Sequence, residues 1–453
     1  MSTLLALGAC SDTFDGLSDD ELTSTVAQMT RMDVRSVENN QGVARQSPVN
    51  VQGGFLKAVS ASVPTNPAVE ASVRTFQEAN ERITVAKSGI RPQLTASGLL
   101  GASKELTGPG TEDTGLTGTV TLQQLVYDGG LTAARIDGST ARAFAAQADV
   151  STVANEAALD AANAWIDVWQ YNARLRLLRN RLADLEPLIS RIETLISSGM
   201  VDRASLASAQ RQVLDIKLEE EQLIAAQKQA SVQFQRYFGV APGNVAQPNQ
   251  LFAGQELGNL RALWRDSPAL ISAGAQLIAA ETEVKEAQAA RRPTVSLQTA
   301  VNAPVQADEE TELTAGLFLE YTFSDGGRRK AEVKARQAQL EASRSIFEDN
   351  KEEAEELLEA ALANHRSLQQ SMGVLNDQVA ALKIETDTTK SQLQSGQSSL
   401  RDVVEAEVLL YRAMSRKIQT QAELVAIEFE MGANTGQLLP KLQLSLNDFL
   451  QQS

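Results

Sequence analysis

The chain has 453 residues but only one cysteine, one histidine, three tryptophans and five tyrosines, and aromatic residues make up 4% of it. A single cysteine excludes an internal disulfide framework. One histidine among Glu-rich stretches supplies no acid-base or zinc site, and the sequence has no phosphate loop, zinc-ligand spacing or nucleophile elbow. These absences argue against an enzyme. Positive charge is short as well: 41 Lys and Arg face 57 Asp and Glu, a net charge of −16 that would repel nucleic-acid phosphates. No run approaches the roughly 18 apolar residues of a membrane-spanning helix, so the chain could cross a membrane only with strands. The hydrophobic content of 43% is largely small alanine, which suits thin helix-to-helix contacts better than a bulky core.

What the sequence does contain, it contains twice. Val120-Thr-Leu-Gln-Gln-Leu-Val-Tyr-Asp-Gly-Gly130 alternates apolar with polar residues, breaks at Asp128-Gly129-Gly130 and runs into a long Ala-rich stretch. Leu317-Phe-Leu-Glu-Tyr-Thr-Phe-Ser-Asp-Gly-Gly327 does the same, breaking at Asp325-Gly326-Gly327. Each copy predicts a strand feeding a helix. The breaks stand 197 residues apart (325 − 128), whereas 201 residues separate Leu56 from Leu257, Pro67 from Pro268 and Pro92 from Pro293. The first hairpin is therefore four residues longer.

Asn66-Pro67 and Ser267-Pro268 predict helix starts, with proline at the first helical position. After Pro92 and Pro293, alternating Leu94, Ala96, Gly98, Leu100 and Val295, Leu297, Thr299, Val301 predict hairpins with one apolar face, at the length of membrane-barrel strands. From Gly130 to Gly199, and from Gly327 to Gly396, the only proline is Pro187, and a continuous helix there would reach roughly 100 Å. Segments of similar length return from Gly199 to Gly239 and from Gly396 to Gly436.

The expected organisation is an α+β membrane protein of two internal repeats, 55–245 and 246–440. The first holds a helix, a β-hairpin over 92–127, a long helix over 130–198 and a return helix over 200–238. The second holds a helix over 267–291, a hairpin over 293–324, a long helix over 327–395 and a return helix over 397–435. Residues 1–10 are expected to be the end of a lipoprotein signal, because a short apolar run and two small residues precede Cys10, the candidate for lipidation; an incidental thiol is the alternative. Residues 11–54 are expected to be a flexible extension, and 441–453 to join the segment after Gly239 in a belt partway along the rod. Four strands cannot close a membrane barrel, which needs about eight, so copies of the chain must associate.

The Pro-initiated helices, the two hairpins, the two Asp-Gly-Gly breaks and the glycine turns at Gly199 and Gly396 together resemble the TolC-type outer membrane factor family, over about Phe55 to Pro440. The resemblance implies a homotrimer whose strands close one twelve-stranded barrel in the outer membrane, on an α-helical barrel that extends through the periplasm. It implies a passive exit duct for efflux of small molecules or for type I protein secretion, with no cofactor. The expected partners are a periplasmic adaptor and an inner membrane RND or ABC transporter, with outer membrane lipid around the barrel. A periplasmic adaptor or coiled-coil scaffold is the competing reading, but it predicts one helical hairpin flanked by soluble β domains.

In the family, acidic rings narrow the tunnel at the helix turns. Asp402 and Glu405 occupy the matching positions, three residues apart on one helix face, and a ring of six carboxylates would favour cations and raise some of their pKa values. Gly199, Asp202, Gly396 and Ser399 mark the turns expected to meet the adaptor. One departure stands out: an aromatic-to-carboxylate hydrogen bond that locks the turn in some members falls here on Leu393 and Ser205, which cannot make it, and Ser398 replaces a basic residue of a second lock. His365 is expected to be a surface or packing residue, Trp165 and Trp169 to pack, 351–356 to be a solvated helix face, and Arg328-Arg329-Lys330 to snorkel toward lipid headgroups or simply to begin a helix.

Overall fold

Both Asp-Gly-Gly breaks convert a strand into a helix by the same local chemistry. Strand β2 (Glu112–Tyr127) leads into helix α3 (Leu131–Ser197), and strand β4 (Glu312–Glu320) leads, through a short extended segment, into α7 (Arg328–Gln394). The glycine pairs take left-handed φ values, 68° and 88° at Gly129 and Gly130 and 66° and 90° at Gly326 and Gly327, which a Cβ would strain. The aspartates satisfy the first free helix N–H groups: Asp128 accepts from the amides of Gly130 at 2.9 Å and Thr132 at 2.6 Å, and Asp325 from those of Gly327 and Arg329, both at 3.1 Å. Partial burial opposes ionisation of Asp128, yet the hydrogen bonds from Thr132, Gly130 and Leu131 hold its pKa below the usual carboxylate value.

The computed structural model describes residues 48–104, 112–197, 203–252, 256–304, 311–395 and 397–450. In addition to the elements above, it comprises α1 (Phe55–Ser62), α2 (Pro67–Ser88), β1 (Gln93–Lys104), α4 (Arg203–Phe238), α5 (Glu256–Leu260), α6 (Pro268–Ala289), β3 (Thr294–Pro304), α8 (Leu400–Asn434), α9 (Leu438–Lys441) and α10 (Leu446–Leu450). Cys10 and the residues through Ser47 lie outside the described part, as do Gly199, Asp202 and Gly396. The α2 start is capped by Asn66, whose Oδ1 accepts from Ala68 N at 2.9 Å.

The strands form one antiparallel sheet in the order β1-β2-β3-β4. Directly opposed residues share a face, so the register sorts side chains. Leu94, Val120, Leu122, Leu297, Val301, Leu313 and Leu317 fall on one face, with Gln124 and Thr299; Thr119, Thr121, Gln123, Ser296, Gln298 and Asn302 fall on the other, which is mainly polar but also carries Leu99, Leu125 and Phe318. On the polar face Thr119 Oγ1 donates to Asn302 Oδ1 at 2.9 Å and Gln123 Nε2 to Ser296 Oγ at 3.3 Å. The apolar face is left open: Leu94 and Leu317 are 71% and 72% exposed. Edges β1 and β4 each pair on one side only.

The helices form a wall around α3. Helices α2 and α4 pack along α3, α6 and α8 pack along α7, and both α6 and α8 also contact α3. Alanine makes the close approach possible: Ala154, Ala158, Ala161 and Ala162 of α3 are fully buried. Midway along α3 lies an aromatic core. Trp165 touches Phe55, Phe234 and Phe238 with ring centroids 5.7 to 5.8 Å apart, and donates its indole N–H to the carbonyl of Ala246 at 3.0 Å. The segment after Gly239 and the C-terminal helices supply Leu251, Phe252, Leu438, Leu439 and Phe449 to the same cluster.

Two expectations sharpen here. His365 is buried, not on the surface: its Nε2 lies 3.3 Å from Glu428, whose other oxygen accepts from the amides of Leu251 at 2.8 Å and Phe252 at 3.3 Å. Arg329 is no snorkelling side chain, because it binds Asp325 at 2.9 Å and the carbonyls of Ala290 and Thr322 at 3.0 and 3.2 Å. Gly436 (φ 68°) ends α8, and a Cβ there would stand 2.5 Å from the carbonyl oxygen of Asp266. Gly436→Ala should therefore cost more than about 2 kcal/mol, against about 1–2 kcal/mol for Gly327→Ala, which meets open space. Thermal melting followed by circular dichroism in detergent checks the order; equal melting temperatures would contradict it.

Candidate functional site

The start of α8 carries both candidate constriction carboxylates. Ser399 caps the helix in a capping box: its hydroxyl accepts from Asp402 N at 3.2 Å, while the Asp402 carboxylate accepts from Ser399 N at 2.9 Å. Ser398 adds its hydroxyl to Asp402 at 3.3 Å. The Ser399 hydrogen bonds hold the Asp402 pKa below the usual carboxylate value, so within one chain its shift runs opposite to the rise expected of a ring. Beyond the cap the helix is two-faced. Arg401, Asp402, Glu405, Leu409, Arg412 and Arg416 are exposed, while Val403, Val404, Val408 and Tyr411 are buried.

The buried face also holds Glu407, whose side chain is 0% exposed. One oxygen accepts from Arg181 Nη1 of α3 at 2.7 Å, and Lys390 of α7 lies against the other as an ion pair. Three helices are thereby fastened at one carboxylate. Nearby, Tyr411 of α8 donates its hydroxyl to Glu219 of α4 at 2.7 Å, and Arg174 of α3 donates to Ser415 Oγ at 3.1 Å. Burial, followed by the bond to Glu219, raises the Tyr411 pKa well above the usual phenol value, so it stays a donor. An aromatic-to-carboxylate hydrogen bond does join α8 to α4, between Tyr411 and Glu219. The sequence signal for Glu407 was a lone carboxylate on an apolar stripe with Val403, Val404, Val408 and Tyr411. Its partners Arg181 and Lys390 carried none, because they come from distant parts of the chain. Among the described residues no cluster of three His, Cys, Asp or Glu side chains is placed to hold a metal ion.

An open four-stranded sheet set on helices of 67 residues defines a class of protein built from strand hairpins and long helical hairpins. A model of the family described as outer membrane efflux protein matches residues 59–240 and 260–447, and the chain belongs to that family. It is a family of efflux proteins, not of enzymes. The chain is 21% identical over 403 residues to the outer membrane efflux protein BepC of Brucella suis biovar 1 (strain 1330), with 85% of each covered. Among solved structures it is similar to the CmeC outer membrane channel of Campylobacter jejuni (12% identity, TM-score 0.74, 90% of this chain and 92% of that one). It is also similar to the outer membrane protein VceC of Vibrio cholerae (15%, 0.73, 86% and 96%) and to the open state of the MtrE outer membrane channel of Neisseria gonorrhoeae (16%, 0.72, 85% and 89%). At these identities the likeness is one of fold.

Removing Glu407 leaves Arg181, only 18% exposed, without its buried partner, so Glu407→Ala should destabilise the helix-turn end of the molecule by about 3–5 kcal/mol. Hydrogen exchange of α7 and α8 backbone amides checks this, and unchanged protection there would contradict it. Asp402, whose pKa is lowered on folding, contributes stability above the ordinary carboxylate pKa and loses it as pH falls through its folded value. Asp402→Asn should therefore flatten the acid limb of α8 stability below about pH 4, read by the same exchange experiment at several pH values.

Proposed function

We propose that this protein is a passive exit duct in the outer membrane, a homotrimer in which three four-stranded sheets close one twelve-stranded barrel over a periplasmic helical tunnel. The observation that carries the reading is the uncovered apolar face of the sheet between two unpaired edges. Water does not favour such a face, and lipid does. The polar face, with Thr119, Gln123, Ser296 and Asn302, suits a water-filled interior. Along the helices, away from the sheet, exposed Leu214, Leu218 and Val232 on α4 and Val374 and Ile384 on α7 lie at opposite margins of the wall, where a neighbouring copy would cover them.

In this reading the helix turns form the gate. Asp402 and Glu405 from three subunits face the axis, and the cap from Ser399 keeps Asp402 ionised against repulsion from its symmetry mates. The ties at Glu407 and Tyr411 hold the gate narrow. A periplasmic adaptor meets the turns at Gly199, Asp202, Gly396 and Ser399 and couples the duct to an inner membrane RND or ABC pump, which supplies the energy. The cargo is small molecules or, through a type I system, protein.

In planar bilayers the wild type should form cation-selective pores, and Asp402→Ala with Glu405→Ala should lose most of that selectivity. Unchanged selectivity would remove these carboxylates from the constriction. Recovery of the full-length protein in the soluble periplasmic fraction would sink the duct itself.

A further inference from the structure

The two repeats differ in charge at one place. Where the first has Ile90, the second has Arg291; where the first has Leu131, Thr132 and Ala133, the second has Arg328, Arg329 and Lys330. Four cations have been placed at the strand-to-helix junction of the second repeat alone, in a chain of net charge −16.

Folding uses one of them. Arg329 neutralises Asp325 and braces two carbonyls, as Arg292 does for the carbonyl of Gly129 at 2.6 Å. Arg291, Arg328 and Lys330 remain exposed, with no carboxylate at ion-pair distance among the described residues. Arg291 and Lys330, with Arg292, Tyr321 and Phe323, line an open recess of about 380 Å3 around the Asp325–Arg329 pair. Its other wall is aromatic: Phe323 is 92% exposed and stands edge-on to Tyr321, with ring centroids 4.9 Å apart. Directly before it the apolar face of β4 ends, with Leu317 and Leu319 both exposed. An apolar wall, then exposed aromatics, then unpaired cations is the order of groups met on leaving a bilayer.

We propose that this recess binds the phosphate of a phospholipid headgroup in the leaflet that borders the helices. The proposal rests on the barrel reading above. Arg291 and Lys330 supply charge-assisted donors to the phosphate oxygens, and Tyr321 and Phe323 lie against the glycerol and upper acyl carbons. The first junction, with Ile90 and Ala133 at the matching positions, holds no such site.

Native mass spectrometry of the full-length protein in detergent tests this with dioleoyl phosphatidylglycerol as the probe. The wild type should retain the lipid, and Arg291→Gln with Lys330→Gln should weaken retention about tenfold to thirtyfold. The charge-keeping pair Arg291→Lys with Lys330→Arg should retain it, as should Arg91→Gln at the first junction. Unchanged retention in the double glutamine variant, or an equal loss in Arg91→Gln, overturns the site. Displacement of the lipid by millimolar inorganic phosphate assigns the recess to free phosphate and overturns the lipid assignment. Fractionation of the wild type separates the two levels: recovery in the outer membrane without site-dependent retention refutes this inference alone, whereas recovery in the soluble periplasmic fraction refutes the duct and the inference with it.

Discussion

The backbone N–H and C=O groups along the free edges of β1 and β4 set the terms for the rest of the molecule. A strand edge in lipid must find a partner, since each unpaired group in a water-free environment costs several kcal/mol. The same sheet has an apolar face that water would leave unsatisfied. One chain can meet neither demand alone, because four strands curve too little to bring β1 to β4. The repeat doubles two strands to four and goes no further, so closure requires copies. The helical wall ends in two margins as well, at α4 and α7, and the same association would cover both kinds of edge.

Sheet and wall can be continuous only if each strand becomes a helix without a loop in between. The Asp-Gly-Gly break does this directly after β2 and, after β4, beyond a short extended segment: glycines supply two left-handed φ values, and aspartate supplies the acceptor that the first helical amides lack. The two junctions share one backbone geometry. That is why the differences in charge between the two junctions have meaning: the backbone device is the same, so added cations are not needed for the turn. Arg329 shows the distinction inside one trio, being folded into the second junction while its neighbours stay in solvent.

The fold was legible in the sequence wherever a local pattern dictated it. Asn66-Pro67, the Asp-Gly-Gly breaks and the alternation of Leu94 through Leu100 are decided by residues within a few positions of one another, and these set the helix starts, the breaks and the faces of the strands. Contacts between distant helices left no such mark. His365 has only Asn364 and Arg366 beside it in sequence, and nothing there announces that Glu428 and the strap at Leu251 and Phe252 close over it. The acidic pair Asp402 and Glu405 stood out through the family resemblance, yet the role of Asp402 as a helix cap depends on the orientation of Ser399. Arg181 and Lys390 resemble any exposed cation until the packing of α3, α7 and α8 brings both to one carboxylate.

That carboxylate raises a question of design, since a well-packed leucine at position 407 would cost no desolvation. An apolar contact, however, tolerates sliding: helices packed through alanine and valine keep most of their buried area when they shift by part of a turn. An ion pair between Glu407, Arg181 and Lys390 does not, because a carboxylate moved away from both cations while still buried is penalised steeply. The hydrogen bond from Tyr411 to Glu219 adds a second fixed point one turn further along α8. Charged ties at a helix end therefore fix one arrangement, where an apolar seam would tolerate several. The gate proposed above would use contacts of this kind. Along the middle of α3 the contacts are instead apolar, from the buried alanines Ala154, Ala158, Ala161 and Ala162 to the aromatic cluster around Trp165.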